Sequence, residues 1–390
     1  MPTRTRGLAG VGAACLAALI VSGCGTSGSS SSASSAVTIS GHTLTIYLSE
    51  PSDLATNRTA QDVVHAEQLA FSADAKEVSA YRLSLQTVRA GKLTDNARSA
   101  IVNPTTIAYL GEIAPGATDA TVGITNALDV LQVSPTDNAL ELTDRTAAVP
   151  GGAKTFFESW STYGRTLARM VPSGSAEARA QVAEMKAAGL RSLATANDGS
   201  VYGRAIADAV AADARAAGIT AAAPSAAAAV FYGAQSPAAA ARFFNRVAAA
   251  DPRRRLFGPS SLNTPAFAAA LSGAARRAVE VSIPGYLPRD LPSAGRTFVS
   301  AFRTAYAHAP NVEAVFGYEA MAALLHVLQQ EGHAANDRTA VVHAFLKQHN
   351  VRSVLGTYSI DAAGNTSLDA FVFAHVRGGQ LVPFVTAPTG

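Results

Sequence analysis

Short apolar runs alternate with amphipathic stretches along most of the chain, and most runs end in small polar residues. Residues 44–48 (Leu-Thr-Ile-Tyr-Leu) read as a first strand, closed by the turn-forming Ser49-Glu-Pro-Ser-Asp53. Val63, Val64, Ala66, Leu69 and Ala70 recur at helical spacing and predict a helix over 59–71. Alternation at Tyr81, Leu83 and Leu85 predicts a strand over 80–88, and a short helix over 94–102 is stopped by Asn103-Pro104.

The stretch 107–137 organises the rest. An apolar run, 107–111, ends in glycine and leads through Ala114-Pro-Gly-Ala-Thr-Asp119 into a helix. A second strand then ends in Ser134-Pro-Thr-Asp137. Two adjacent strands with hydroxyl-rich turns at their carboxyl ends form a place to hold a small ligand. The same rhythm restarts beyond 166, after a stretch at 143–155 that reads as surface loop. Helices are expected over 176–188 and from Tyr202 to Gly218, with strands over 191–196, 228–232 and 256–257. Further on, 279–288 is extended, helices follow over 293–308 and 313–330, and 371–376 pairs with 381–385 as a hairpin. Two series of strand-turn-helix units predict an α/β fold of two doubly wound, mainly parallel sheets.

Composition agrees with two domains: 390 residues, 48% hydrophobic and 15% charged, are enough for more than one core. The net charge of +3 brings no basic stripe, and Arg253-Arg-Arg255, the one dense run, reads as a solvated loop, so nucleic acid is not an expected partner. The N-terminus changes the picture more. Arg4 and Arg6 precede an apolar run over 7–21 that is too short to span a bilayer, and Val21-Ser22-Gly23-Cys24 follows. This resembles a bacterial lipobox, with 1–23 as signal peptide, Cys24 as the lipidated residue and 24–40 as anchor and Ser/Gly-rich linker. Arg4 and Arg6 are not adjacent, so the general secretory route is expected. Cys15 falls in the cleaved segment, which leaves no internal disulfide.

The order and spacing of Leu110-Gly111, Val133-Ser134-Pro135, Leu142-Thr143, Arg169-Met-Val-Pro172, Tyr202-Gly203, Tyr232-Gly233, Gly258-Pro259, Tyr318-Glu-Ala320 and Asp361-Ala-Ala-Gly364 resemble those of the type I periplasmic binding proteins. The similarity is to the leucine/isoleucine/valine-binding group that serves ABC importers. The resemblance implies two lobes joined by three crossings: 41–167 plus 286–357, and 168–285 plus 358–385. It implies a lipid-anchored, extracytoplasmic monomer that encloses a small polar ligand, such as an amino acid or amide, and delivers it to a permease. A ligand sensor of the same fold, signalling to a receptor, is the alternative.

By the same resemblance the ligand's carboxylate falls to Thr118, Ser134 and Thr136 in the first lobe, although ordinary N-capping accounts for such residues too. Tyr202 is placed against the ligand, or in the core, and Gln235 and Ser260 complete the second-lobe half of the pocket. Ser260 stands where amino-acid binders carry an acid for the ligand's ammonium. Either Asp137 supplies that charge or the ligand is not an α-amino acid. Glu50 and Asp53 are further cleft acids, or solvated turn residues. No nucleophile elbow, His-Glu-x-x-His or phosphate loop is present outside the leader, and His326, His333, His343 and His349 build no ligand triad. No enzyme activity, cofactor or metal is therefore expected.

Overall fold

The strand that opens the pattern lies at the centre of its sheet, as a run apolar on both faces requires. The computed structural model describes residues 37–73 and 77–387. Strands Thr43–Ser49 (β1), Glu77–Val78 (β2), Tyr81–Val88 (β3), Thr106–Leu110 (β4), Leu131–Ser134 (β5) and Leu167–Arg169 (β6) form one sheet, ordered β2-β3-β1-β4-β5-β6. Every pair is parallel except β2 with β3. Strands Ser192–Asn197 (β7), Thr220–Ala221 (β8), Ala229–Gly233 (β9), Arg255–Gly258 (β10) and Val279–Pro284 (β11) begin the second sheet. After a separate hairpin, Val351–Ser353 (β12) with Gly356–Tyr358 (β13), the antiparallel strands Phe371–Arg377 (β14) and Gln380–Thr386 (β15) complete it. Its order is β15-β14-β11-β10-β9-β7-β8.

The α-helices are Arg58–Ala73 (α1), Leu93–Val102 (α2), Val122–Asn126 (α3), Trp160–Tyr163 (α4), Gly174–Ala187 (α5), Val201–Ala216 (α6), Pro237–Ala250 (α7), Pro265–Ala270 (α8), Gly273–Ala278 (α9), Ser293–Tyr306 (α10), Ala314–Glu331 (α11) and Arg338–Leu346 (α12). Several starts are capped by hydroxyls: Ser200 Oγ accepts from the Gly203 N–H at 2.9 Å, and Ser236 Oγ from that of Ala239 at 3.3 Å. In the first lobe, Leu44, Ile46, Leu110 and Val133 of the sheet pack with Phe316 and Leu324 of α11 and Phe345 of α12. In the second, Phe231 and Phe257 face Ile206 of α6 on one side of the sheet, while Val230 and Leu256 face Phe244 of α7 on the other.

The structure differs from the sequence reading in four places. The strand before the first crossing continues past Leu167, because Ala168 and Arg169 pair with Val133 and Ser134 of β5. Tyr358, Ile360 and Leu368 pack into the first core, so the chain stays with the first lobe until just before β14. The 143–155 stretch is not a plain surface loop, since Val149 and Ala153 are buried. Arg255 lies in β10 and pairs with Glu280, and Arg254 holds Asp251 and the Pro224 and Ser225 carbonyls, so much of the arginine run is used structurally. The signal-peptide, Cys24 and linker readings fall on residues 1–36 and lie outside the described residues.

Candidate functional site

Glu112, the residue after the glycine that ends the β4 run, turns into the first lobe and is 1% exposed. Tyr109 Oη donates to its Oε1 at 2.6 Å and Ser49 Oγ to its Oε2 at 2.8 Å, with Asn96 Nδ2 donating to Ser49 Oγ at 2.9 Å. Burial pushes the carboxyl up to about 7, against the pull of these hydroxyls. The turn above is stitched to it: Thr118 Oγ1 accepts from the Glu112 N–H at 3.3 Å, and Ser134 Oγ donates to its carbonyl at 2.7 Å. Thr118 and Ser134 are both 0% exposed, and their hydroxyls serve the turns. Nothing in the sequence marked Glu112, whose partners come from three separate elements.

Asp137 reaches across to the same turn. Its Oδ1 accepts from the N–H groups of Gly116 (2.7 Å) and Ala139 (3.1 Å), and its Oδ2 from those of Ala117 (3.0 Å) and Thr118 (2.8 Å). Burial pushes its carboxyl up while the backbone donors pull it down. Four donated N–H groups leave no acceptor for a carboxyl proton, so the carboxylate is the form that fits. Asp137 is fully buried, and as a cation partner for a ligand it has no accessible oxygen.

The two lobes meet over this turn. Gln235 Nε2 donates to the Gly116 carbonyl at 3.0 Å and the Pro115 carbonyl at 3.3 Å. Asn138 Nδ2 donates to Glu177 Oε2 at 2.6 Å and to Ser260 Oγ at 3.1 Å, while the Ser260 N–H donates to Glu177 Oε1 at 2.6 Å. Asn263 Nδ2 donates to Glu313 Oε2 at 2.8 Å. Gly116 has φ +78°, and a Cβ there would lie 2.9 Å from Tyr202 Cβ and 2.8 Å from Gln235 Nε2, so only glycine lets the lobes approach this closely. Tyr202 is 1% exposed, with its hydroxyl buried beside Ser260 and Ser261.

Beside these contacts lies a cavity of about 240 Å³, lined by residues of both lobes. Thr136, Gln235 and Ser260 face it, whereas Thr118, Ser134, Asp137 and Tyr202 do not. Thr136 Oγ1 also donates to the Ile113 carbonyl at 2.6 Å. Asp53 is part of the wall and Glu50 is not. Asn57, Ser261, Asn263 and Glu313, which the sequence did not single out, are lining residues too. A larger depression of about 650 Å³, along α11 and the β12–β13 hairpin, involves the first lobe alone.

The two-sheet architecture around this cavity is similar to that of solved structures. The leucine-binding protein LivK of Thermotoga maritima superposes with a TM-score of 0.72 at 15% identity, over 89% of this chain and 99% of that one. The present chain has the type I periplasmic binding protein fold. A solute-binding protein of an R. palustris ABC transporter, in complex with benzoate, matches at 0.66 and 19% identity over 89% and 96% of the two chains. LivJ of Streptococcus pneumoniae, in complex with isoleucine, matches at 0.65 and 15% over 88% and 100%. No family model matches the chain. No curated protein matches it in sequence. In this chain the Asp137 carboxylate joins the β4–α3 and β5–α5 connections.

Proposed function

We propose that this protein is an extracytoplasmic, lipid-anchored solute-binding protein that closes on a small polar molecule and delivers it to an ABC permease. The observation that carries this reading is the cavity whose polar lining comes from both lobes, with Gln235, Asn138 and Asn263 bridging the lobes beside it. Contacts of this kind form only when the lobes meet, so a ligand that adds to them favours the closed form. The benzoate and isoleucine complexes of proteins with this fold support a small solute as cargo. At about 240 Å³ the cavity lies below the roughly 300–1,000 Å³ of pockets for drug-sized ligands.

Among the described residues no helix is long and apolar enough to cross a membrane. The lipobox-like Val21-Ser22-Gly23-Cys24 supports attachment through Cys24. Replacing Cys24 with alanine moves the full chain from the membrane fraction to the soluble one; retention in the membrane rejects the anchor. Binding is tested by melting the purified full chain with amino acids, amides, amines and small carboxylates. A true ligand at 100 times its dissociation constant adds about 2.7 kcal/mol. Silence across all four classes rejects the solute-binding reading.

A further inference from the structure

We propose that the cleft is built for a small organic cation that carries no carboxylate, with Glu313 as the group that meets its positive charge. This rests on the solute-binding reading and narrows it. Three features of the structure converge on it.

The first is the state of the anion-holding turn. The N–H groups of Gly116, Ala117 and Thr118 point at one spot, and a carboxylate is already there, that of Asp137. A ligand carboxylate would have to displace it, leaving Asp137 charged, buried and short of three hydrogen bonds. Stranding a buried charge in this way costs several kcal/mol. The turn is therefore closed to a second anion.

The second is the charge of the wall. The cavity is lined by no Lys, Arg or His, and its ionisable groups are the carboxyls of Asp53 and Glu313. An anionic ligand would enter with no counter-charge, and the field inside favours a cation.

The third is Glu313 itself. It stands at the start of α11 and is 6% exposed, yet lines the cavity. Asn263 from the opposite lobe holds Oε2, and Oε1 accepts from no group among the described residues. An acceptor thus faces the space with capacity to spare. Around it, Ser260, Ser261 and Gln235 supply neutral polar atoms, and Ile113, Pro115 and Pro237 supply apolar surface. That suits a cation with a short, partly apolar body.

Protonation gives the idea a distinct signature. Burial pushes Glu313 up to about 8; Asn263 lowers it, and the charge of Glu177 across the interface raises it. Asp53 is the other acid on the same cavity. A permanently charged ligand pairs with the ionised form, so binding expels a proton. Its affinity climbs close to tenfold per pH unit from 6 to 7 and levels above about 8.

The experiment is calorimetric titration of the purified full chain with choline and ethanolamine, with 3,3-dimethylbutan-1-ol as choline's uncharged isostere, and with leucine and benzoate as carboxylates. The expected result is binding of the cations, at least tenfold weaker binding of the isostere, and none of the carboxylates. Glu313→Gln lowers cation affinity at least tenfold and abolishes the pH slope, while Glu313→Asp keeps the slope; melting of each variant without ligand reports whether it is folded. Leucine or benzoate binding as tightly as the cations overturns this inference and leaves the solute-binding reading standing. Cation binding unchanged in folded Glu313→Gln also overturns it. If none of these probes binds, this inference falls, while the solute-binding reading is decided by the wider melting screen across all four ligand classes.

Discussion

Asp137 is the residue whose role the sequence placed in question and the structure redefines. Its position after Ser134-Pro-Thr was conspicuous, but its partners were not, because backbone N–H groups some twenty residues earlier leave no mark in a side-chain pattern. Asp137→Asn sets an NH2 against two N–H donors, and we expect a loss of at least about 2 kcal/mol, read as a lower urea midpoint with an unchanged slope. Asp137→Ala, which leaves all four donors unpaired, costs more. Thr118 and Ser134 were legible as turn hydroxyls, although their partner atoms on Glu112 were not. Glu313 was illegible for a plainer reason: an acid just before a helix is ordinary, and only the fold brings Asn263 and the cavity to it.

At the level of elements, periodicity located the long helices and the buried parallel strands, because each buries a repeating apolar face. It missed the β12–β13 hairpin, whose three-residue strands are too brief to show a period. It also could not show how tightly the β4–α3 turn meets the second lobe. Gly116→Ala forces a Cβ against Tyr202 and Gln235. We expect it to hold the lobes apart, seen as a larger radius of gyration in solution scattering. Gly189→Ala is the control: φ is +72° and nothing lies within 4 Å, so it brings about 1 kcal/mol or more of backbone strain without moving the lobes. An equal expansion in both variants would contradict the contact. Removal of a helix cap is separable from these effects, and Ser200→Ala should cost about 1 kcal/mol in a melting experiment.

Across the whole molecule, the two-lobed plan was readable from the order of strands and helices, whereas the continuity between lobes was not. Val122, Leu140 and Leu142, from the first half of the chain, pack in one cluster with Ile206 and Phe231 of the second lobe. The buried acids add a dependence on pH that is spread over the protein. Burial raises Glu112 and Glu141 to about 7, and Glu313 and Glu319 to about 8. A carboxyl raised on folding binds its proton more tightly in the native chain. Its contribution is full below the unfolded value near 4.5 and is lost as pH rises through the folded value. The melting temperature should therefore fall between about pH 5 and pH 8.5, with each acid contributing on the order of 1 kcal/mol or more. Glu319→Gln should flatten the decline, and a melting temperature that rises over this range would refute the assignment. One further link ties together segments that lead to the crossings between the lobes. Arg169 donates from Nη1 to the Ala139 carbonyl, from Nη2 to Thr143 Oγ1 and from Nε to Asn365 Oδ1, while its own N–H meets the Gly364 carbonyl. That side chain works as a rivet through the strand leading to one crossing and the loop leading to another. With those two segments pinned to each other, we expect them to move as one piece when the cleft opens, so two dyes placed across the cleft would report opening and closing along one coordinate.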